Sequence, residues 1–181
     1  MNSISTGLYL YGKLDQKNVA AAIGYTPYKA YTDAADLYDG SGRSALEYAT
    51  AMQPKRIFIM LGSNGLTGSG DFSALENSYR TLIDKLNAAC PDSTLYCISV
   101  SPITKNSSAA EYSGVTNEII KDFNSAVKGI CSEYGIKYFD LYSKLCDSTG
   151  YFSSDYAEVD GMHFLGTTYD VMLSFIQNEL A

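Results

Sequence analysis

The sequence has few of the side chains that hold metal ions or bind nucleic acid. It contains one histidine, His163, and four cysteines, none of which forms a C-x-x-C pair. A zinc site, which needs several such ligands, is therefore not expected. The formal net charge is −7 and no basic run occurs. Nucleic-acid and anionic-membrane partners are not expected either, because phosphate binding needs clustered lysine and arginine.

Tryptophan and long apolar runs are also absent. No segment is long enough to span a membrane, and residues 1–20 lack the basic start and apolar run of a signal peptide, so the compartment is left open. The aromatic content is instead dominated by 16 tyrosines. Tyrosine combines an apolar face with a hydroxyl, which suits polar ligands such as sugars, although a tyrosine-rich surface explains the same count.

Strand and helix patterns alternate along the chain. Three apolar runs predict strands buried on both faces of a parallel sheet: RIFIML (56–61), TLYCISV (94–100) and IKYFDLY (136–142). Helical spacing predicts helices over 44–52, 75–86 and 115–130 and a last one after Gly166, while 18–23 is interpreted as a further strand. We therefore expect one α/β domain over residues 1–181, a three-layer α/β/α sandwich with a mainly parallel sheet.

Two local patterns refine this outline. The segment Ser73–Glu76 (SALE) predicts a capping box that opens the second of these helices. The polar stretch 104–114 (TKNSSAAEYSG) follows a predicted strand end and is interpreted as a loop at the rim of a site.

The predicted strand ends indicate where chemistry would occur, because ligands bind at the carboxyl ends of strands in open α/β sheets. His163 is a candidate general base, and Asp160, three residues earlier, would face it across one helical turn and fix its tautomer. A lone histidine is more often structural. A base also needs a nucleophile, and no cysteine neighbours a strand end, so serine is the natural candidate.

Three polar residues at strand ends have two interpretations each. Asn64, between Gly62 and Gly65, is either a turn residue or a donor to an oxyanion. Ser63 and Ser101 are alternative nucleophiles, although serines at such positions are usually cap or turn residues.

Two motifs in this order resemble those of a known family. The stretch IFIMLGSNGL, followed far downstream by DGMHFLGTTYDVML, is similar to blocks III and V of the SGNH (GDSL-type) hydrolases, and the likeness extends over essentially the whole chain. The family implies a flavodoxin-like fold of mainly parallel strands. Its first block, Gly-Asp-Ser, has a continuation similar to SISTGLYLYG at the start of this chain.

The resemblance implies a set of site residues. Ser3 would be the nucleophile, His163 the base and Asp160 its orienting carboxylate. The oxyanion hole would consist of the backbone N–H groups of Ser3 and Gly24 and the side chain of Asn64, with Gly40 and Gly42 as weaker matches to the family's second-block glycine. No cofactor and no metal are implied.

The family's activity implies a serine esterase that acts on small acyl esters through an acyl-enzyme, with O-acetyl groups on carbohydrate as the favoured substrate. A phospholipase or thioesterase stays open, as does a catalytically impaired carbohydrate-binding or interaction module. The match to the first block runs out at Met1, so we expect an N-terminally truncated domain without the family's first strand. That would leave a sheet edge through which a homodimer could form.

Overall fold

The computed structural model describes residues 3–181, apart from the side chains of Ser3, Ala109 and Tyr112. In this part of the chain three strands alternate with helices. The strands are β1 (Arg56–Ile59), β2 (Thr94–Ile98) and β3 (Lys137–Phe139). The helices are α1 (Ser3–Leu10), α2 (Lys29–Thr32), α3 (Ala45–Met52), α4 (Ser73–Ala89), α5 (Ser108–Ser113), α6 (Asn117–Tyr134), α7 (Leu141–Leu145) and α8 (Gly166–Leu180).

The three strands form one parallel sheet in the order β1-β2-β3. Arg56 of β1 lies opposite Thr94 of β2, and Tyr96 of β2 lies opposite Lys137 of β3. Because parallel strands end at the same edge of a sheet, the segments that follow β1, β2 and β3 meet there. The predicted α/β class with a parallel sheet is confirmed.

Each face of the sheet is covered by a helical layer. Cys97 points into a core built with α2, α3, α4 and α6, whereas its neighbour Ile98 packs in a second core with α1 and α8. Both side chains are buried, as the alternation of side chains along a strand requires when both faces are covered. No helix within residues 3–181 has the length and apolarity needed to cross a membrane.

The two long helices follow their predicted apolar stripes. α4 buries Leu75, Tyr79, Leu82, Ile83 and Leu86, at the spacing that places side chains on one face. The capping box predicted for this helix is wrong. Its N-cap is Phe72, which has no side-chain acceptor, and the Ser73 hydroxyl donates to the Asp71 carboxylate at 2.8 Å instead. A capping box does open α3, between Ser44 and Glu47.

The strand predicted over 18–23 is also wrong. A short 3₁₀ turn covers Gln16–Asn18, and only Ala21 makes a bridge, with Asp36 N–H donating to its carbonyl at 2.7 Å. Three successive alanines give little side-chain packing to support a strand, so the segment pairs at one point only.

β1 has an open edge. Within residues 3–181, β2 pairs with one side of β1 and no strand pairs with the other. Phe58 in β1 stays 40% exposed while its ring stacks on Tyr96, with 4.9 Å between ring centroids. This edge therefore presents backbone groups and an aromatic side chain that another strand could cover.

Candidate active site

The start of α1 lies at the edge of the sheet where the strands end. Ile4 of α1 lines a narrow crevice together with residues that follow β1 and β2, namely Met60, Leu61, Ser63, Val100 and Ser101. Both alternative serines are thus in this crevice, where Ser101 is buried. Ser3, the predicted nucleophile, is the first residue of α1, and its side chain lies outside the described residues.

A buried tyrosine fixes α1 against α8. The hydroxyl of Tyr169 donates to the carbonyl of Ile4 at 2.9 Å, and only 2% of Tyr169 is exposed. Gly7, one turn later in α1, allows this approach, because a Cβ there would lie 1.9 Å from the Tyr169 hydroxyl. The first turn of α1 therefore has a defined position relative to α8, which begins at Gly166, soon after His163.

Asp160 and His163 are in direct contact. One carboxylate oxygen of Asp160, Oδ2, contacts the imidazole Nδ1 of His163. The other, Oδ1, accepts the backbone N–H groups of Met162 at 2.9 Å and of His163 at 3.0 Å. The helical turn expected for the pair is wrong, because these residues form a turn outside any helix. The carboxylate's own hydrogen bonds to the backbone bring the two side chains together.

The environment keeps the Asp160 carboxylate ionised. Partial burial acts to raise the pKa of Asp160, but the hydrogen bonds from the His163 backbone and imidazole and from Met162 N–H outweigh it, so its pKa is lowered. An ionised acceptor at Nδ1 favours the tautomer that carries its proton there. In that tautomer Nε2 is the ring nitrogen able to accept a proton from a substrate or a nucleophile.

The loop that carries His163 is closed by its own backbone and rests on the second core. Glu158 N–H donates to His163 carbonyl at 2.8 Å. The next residue, Phe164, is buried, and its ring lies 5.4 Å from that of Tyr169. Tyr169 thus contacts both this loop and the start of α1 at Ile4, so the two segments share one support.

Asn64 is hydrogen-bonded to Tyr25, the residue that follows Gly24. Asn64 Nδ2 donates to Tyr25 O at 3.1 Å, and Gly24 lies immediately before Tyr25 in a turn where its φ is +72°. Tyr25 is buried, and its hydroxyl donates to Asp33 O at 2.9 Å. Because an amide nitrogen carries two hydrogens, this bond orients the second one. The weaker candidates Gly40 and Gly42 lie in the exposed loop before α3.

The turn that presents Asn64 depends on glycine at the end of β1. Gly62 has a φ of +122°, and a Cβ there would lie 2.2 Å from Cε1 of Phe123 in α6. Both the backbone conformation and the packing therefore make any other residue at this position destabilising. The contact between Gly62 and Phe123 of α6 fixes the turn in which Ser63 and Asn64 follow β1.

The sequence placed the stretch 104–114 at the rim of a site, but it did not show how this stretch or the Tyr25 carbonyl contributes. The predicted loop 104–114 contains α5 and hydrogen-bonds the turn at Asp160, through Thr104 and Ser108. The Tyr25 carbonyl that orients Asn64 gives no sequence signal, because every residue has a carbonyl. The structure brings Asp160 to His163 and joins Asn64 to Tyr25, the residue after Gly24, and the catalytic roles of these residues stay predictions.

Comparison with solved structures identifies similar folds. A GDSL-like lipase from Bacteroides thetaiotaomicron superposes with a TM-score of 0.61 at 16% identity, over 74% of this chain and 65% of that one. The periplasmic domain of a lipopolysaccharide acetyltransferase from Salmonella ser. Paratyphi A gives 0.58 at 19%, over 85% and 68%. A carbohydrate esterase family 3 protein from Talaromyces cellulolyticus gives 0.58 at 15%, over 87% and 67%.

These identities establish the fold and no more, and the chain spans about two thirds of the length of these neighbours. No curated protein matches the sequence significantly. The family model for GDSL-like lipase/acylhydrolases matches residues 8–171, a range that includes Gly24, Asn64, Asp160 and His163 and begins after Ser3. The chain therefore belongs to the GDSL-like lipase/acylhydrolase family.

Proposed function

We propose that this protein is a serine esterase that removes small acyl groups, with O-acetyl groups on carbohydrate as its substrate. The observation that carries the proposal is the Asp160–His163 contact, in which an ionised carboxylate orients the only imidazole of the chain. Family membership supports ester hydrolysis as the reaction class. A carboxylate at Nδ1 is the arrangement that leaves Nε2 free to serve as a general base.

In the proposed reaction the Ser3 hydroxyl attacks the ester carbonyl carbon. Nε2 of His163 takes the hydroxyl proton, and the Asp160 carboxylate stabilises the imidazolium that forms. When the tetrahedral intermediate collapses, the bond to the alcohol oxygen breaks and His163 returns the proton to that oxygen. Water then attacks the acyl-serine by the same route, which releases the acid and restores Ser3.

Three donors would stabilise the negative charge of the tetrahedral intermediate: the backbone N–H groups of Ser3 and Gly24 and the second amide hydrogen of Asn64. The bond from Asn64 to Tyr25 O supports this role, since it orients the amide before substrate arrives. Such preorganised donors typically contribute about 10²–10³ in kcat each. The N-terminus of α1, where Ser3 lies, adds a positive partial charge.

The carbohydrate assignment is supported by two structural neighbours and by the surface. The names of these neighbours refer to a lipopolysaccharide acetyltransferase and a carbohydrate esterase. Tyr11, Tyr28, Tyr38 and Tyr151 are exposed, and Tyr11 donates to the carboxylate of Glu158 in the loop that carries His163. Tyrosine rings of this kind can stack on sugar faces.

Hydrolysis of p-nitrophenyl acetate, followed by acetate release from an acetylated oligosaccharide, tests the proposal. We expect His163→Ala and Ser3→Ala each to lower kcat by at least about 10³-fold, as removal of a triad member does. Ser63→Ala and Ser101→Ala are the matched serine controls and should hydrolyse the ester at the wild-type rate. Activity that survives Ser3→Ala but not Ser63→Ala or Ser101→Ala would reassign the nucleophile. An inactive wild type that binds the oligosaccharide would favour the binding module.

A further inference from the structure

The Asp160–Gly161 backbone is held from outside its own loop. Ser108 N–H donates to Asp160 O at 3.1 Å, and Thr104 N–H donates to Gly161 O at 3.0 Å. Both donors belong to the segment Thr104–Ser108, which follows β2 and which we name the strap. The two consecutive carbonyls therefore have fixed partners on a different part of the chain, and one of them belongs to Asp160, whose carboxylate contacts His163.

The strap also packs closely against Gly161. A Cβ at this position would lie 2.0 Å from Thr104 Oγ1 and 3.0 Å from Ser107 Cα, and Gly161 has a φ of +73°. Gly161 itself contributes no side chain, so the backbone of the strap at Ser107 lies directly against the turn. A displacement of the strap is therefore transmitted to the Asp160 turn.

The strap is in turn anchored by a buried asparagine of α6. Asn117 Oδ1 accepts Ile103 N–H at 2.9 Å, and Asn117 Nδ2 donates to Ile103 O at 2.9 Å. Ile103 directly precedes the strap and is buried, and Phe152 N–H also donates to its carbonyl, at 3.1 Å. A buried amide that satisfies both backbone groups of one residue fixes the position of that residue.

A second asparagine of α6, Asn124, makes the same pair of bonds to Val100, three residues before Ile103. Val100 N–H donates to Asn124 Oδ1 at 2.8 Å, and Asn124 Nδ2 donates to Val100 O at 2.9 Å. Asn117 and Asn124 are seven residues apart and so lie on one face of the helix. Asn124 binds Val100, just after the end of β2, whereas Asn117 binds Ile103, just before the strap, so Asn124 is the matched control for Asn117.

We propose that Asn117 and the strap are positioning elements for the Asp160–His163 pair. Asn117 fixes Ile103, the strap extends from it, and the Thr104 and Ser108 N–H groups set where the turn holds the carboxylate. This inference rests on the proposed function for its catalytic consequence. Its structural content, that the strap determines the His163–Asp160 hydrogen bond, can be measured without any activity.

Two substitutions of Ser108 separate the role of its backbone N–H from that of its hydroxyl. Ser108 is the first residue of α5, where proline is well accommodated, and proline lacks the N–H that Asp160 O accepts. Ser108→Ala keeps this N–H and loses only the hydroxyl contact to the same carbonyl, at 3.4 Å. We expect Ser108→Pro to lower kcat about 10- to 100-fold with KM nearly unchanged, and Ser108→Ala to behave as wild type.

The decisive readout is the proton NMR signal of the imidazole N–H in hydrogen bond to Asp160. It needs no assignment, because His163 is the only histidine. We expect this downfield resonance in wild type, Ser108→Ala and Asn124→Ala, and its loss or faster exchange in Ser108→Pro and Asn117→Ala. Thermal unfolding of all variants controls for general destabilisation, and Ser108→Pro serves if Asn117→Ala does not fold.

Two results would overturn the inference. One is a Ser108→Pro protein whose imidazole resonance and kcat match those of Ser108→Ala. The other is a wild-type spectrum without the resonance, which would remove the hydrogen bond that the strap is proposed to set. If wild type hydrolyses no ester but the resonance still responds to Ser108→Pro, the proposed function fails while the positioning role stands.

Discussion

The change Asp160→Asn separates the structural role of this side chain from its electrostatic role. Oδ1 accepts the N–H groups of Met162 and His163, at 2.9 and 3.0 Å, and an asparagine oxygen can do the same. Oδ2 contacts Nδ1, and there asparagine presents an NH₂ group, which cannot accept a proton. The imidazole must then carry its proton on Nε2, the nitrogen that the proposed reaction needs as a base.

The expected loss is large for the reaction and small for folding. Asp→Asn changes in Ser-His-Asp hydrolases lower kcat about 10⁴-fold, which corresponds to about 5.5 kcal/mol of transition-state stabilisation. The free energy of unfolding should fall by only about 1–2 kcal/mol, because the Oδ1 bonds persist without their charge. Rates of p-nitrophenyl acetate hydrolysis and urea unfolding at pH 7 measure the two effects on the same protein.

The stability that Asp160 contributes depends on pH. Because the folded-state pKa of Asp160 is lowered, its ionised form stabilises the folded protein above the unfolded pKa of about 3.9, and this contribution is lost as pH falls through the folded pKa. The stability difference between wild type and Asp160→Asn should therefore shrink between pH 5 and acid pH. A fully folded Asp160→Asn protein that keeps kcat within about tenfold of wild type would refute the reasoning.

Three further predictions concern other parts of the molecule. Gly62→Ala should lower the free energy of unfolding by about 2–5 kcal/mol in urea titrations, from backbone strain and the contact with Phe123, and a change below about 1 kcal/mol would contradict the close packing. Under native conditions a thiol reagent should modify only Cys146, faster at high pH since burial raises the pKa of this thiol, whereas the other three cysteines are buried. If copies pair through the open edge of β1, light scattering should give a dimer for wild type and a monomer for Phe58→Glu, and a monomeric wild type would argue against this pairing.

The fold was predictable where periodicity and burial agree. The apolar runs that became β1, β2 and β3 are nearly continuous, since helices pack on both faces of the sheet, although Phe58 of β1 stays exposed. The stripe of α4 follows helical spacing. Prediction from the sequence was wrong where a short pattern is compatible with two different structures. SALE has the spacing of a capping box, but Phe72 takes the cap position, and NVAAAI has the apolarity of a strand without the side chains to pack one.

The sequence alone determined which residues could do chemistry in this protein. One histidine, a carboxylate three residues before it and an asparagine between glycines at a strand end are all visible in the printed chain. The donor and acceptor atoms that each side chain carries depend only on residue type and are the same in any fold.

The tertiary structure alone decided how these residues are held. The bond from Asn64 to the Tyr25 carbonyl, the strap on Asp160–Gly161 and the anchoring of Ile103 by Asn117 join segments distant in sequence. Most of these contacts run through backbone N–H and carbonyl groups, which every residue carries and which leave no mark in a sequence. Only packing the chain around its sheet selects the groups that meet over such distances, whereas the contact between Asp160 and His163 forms within its own turn.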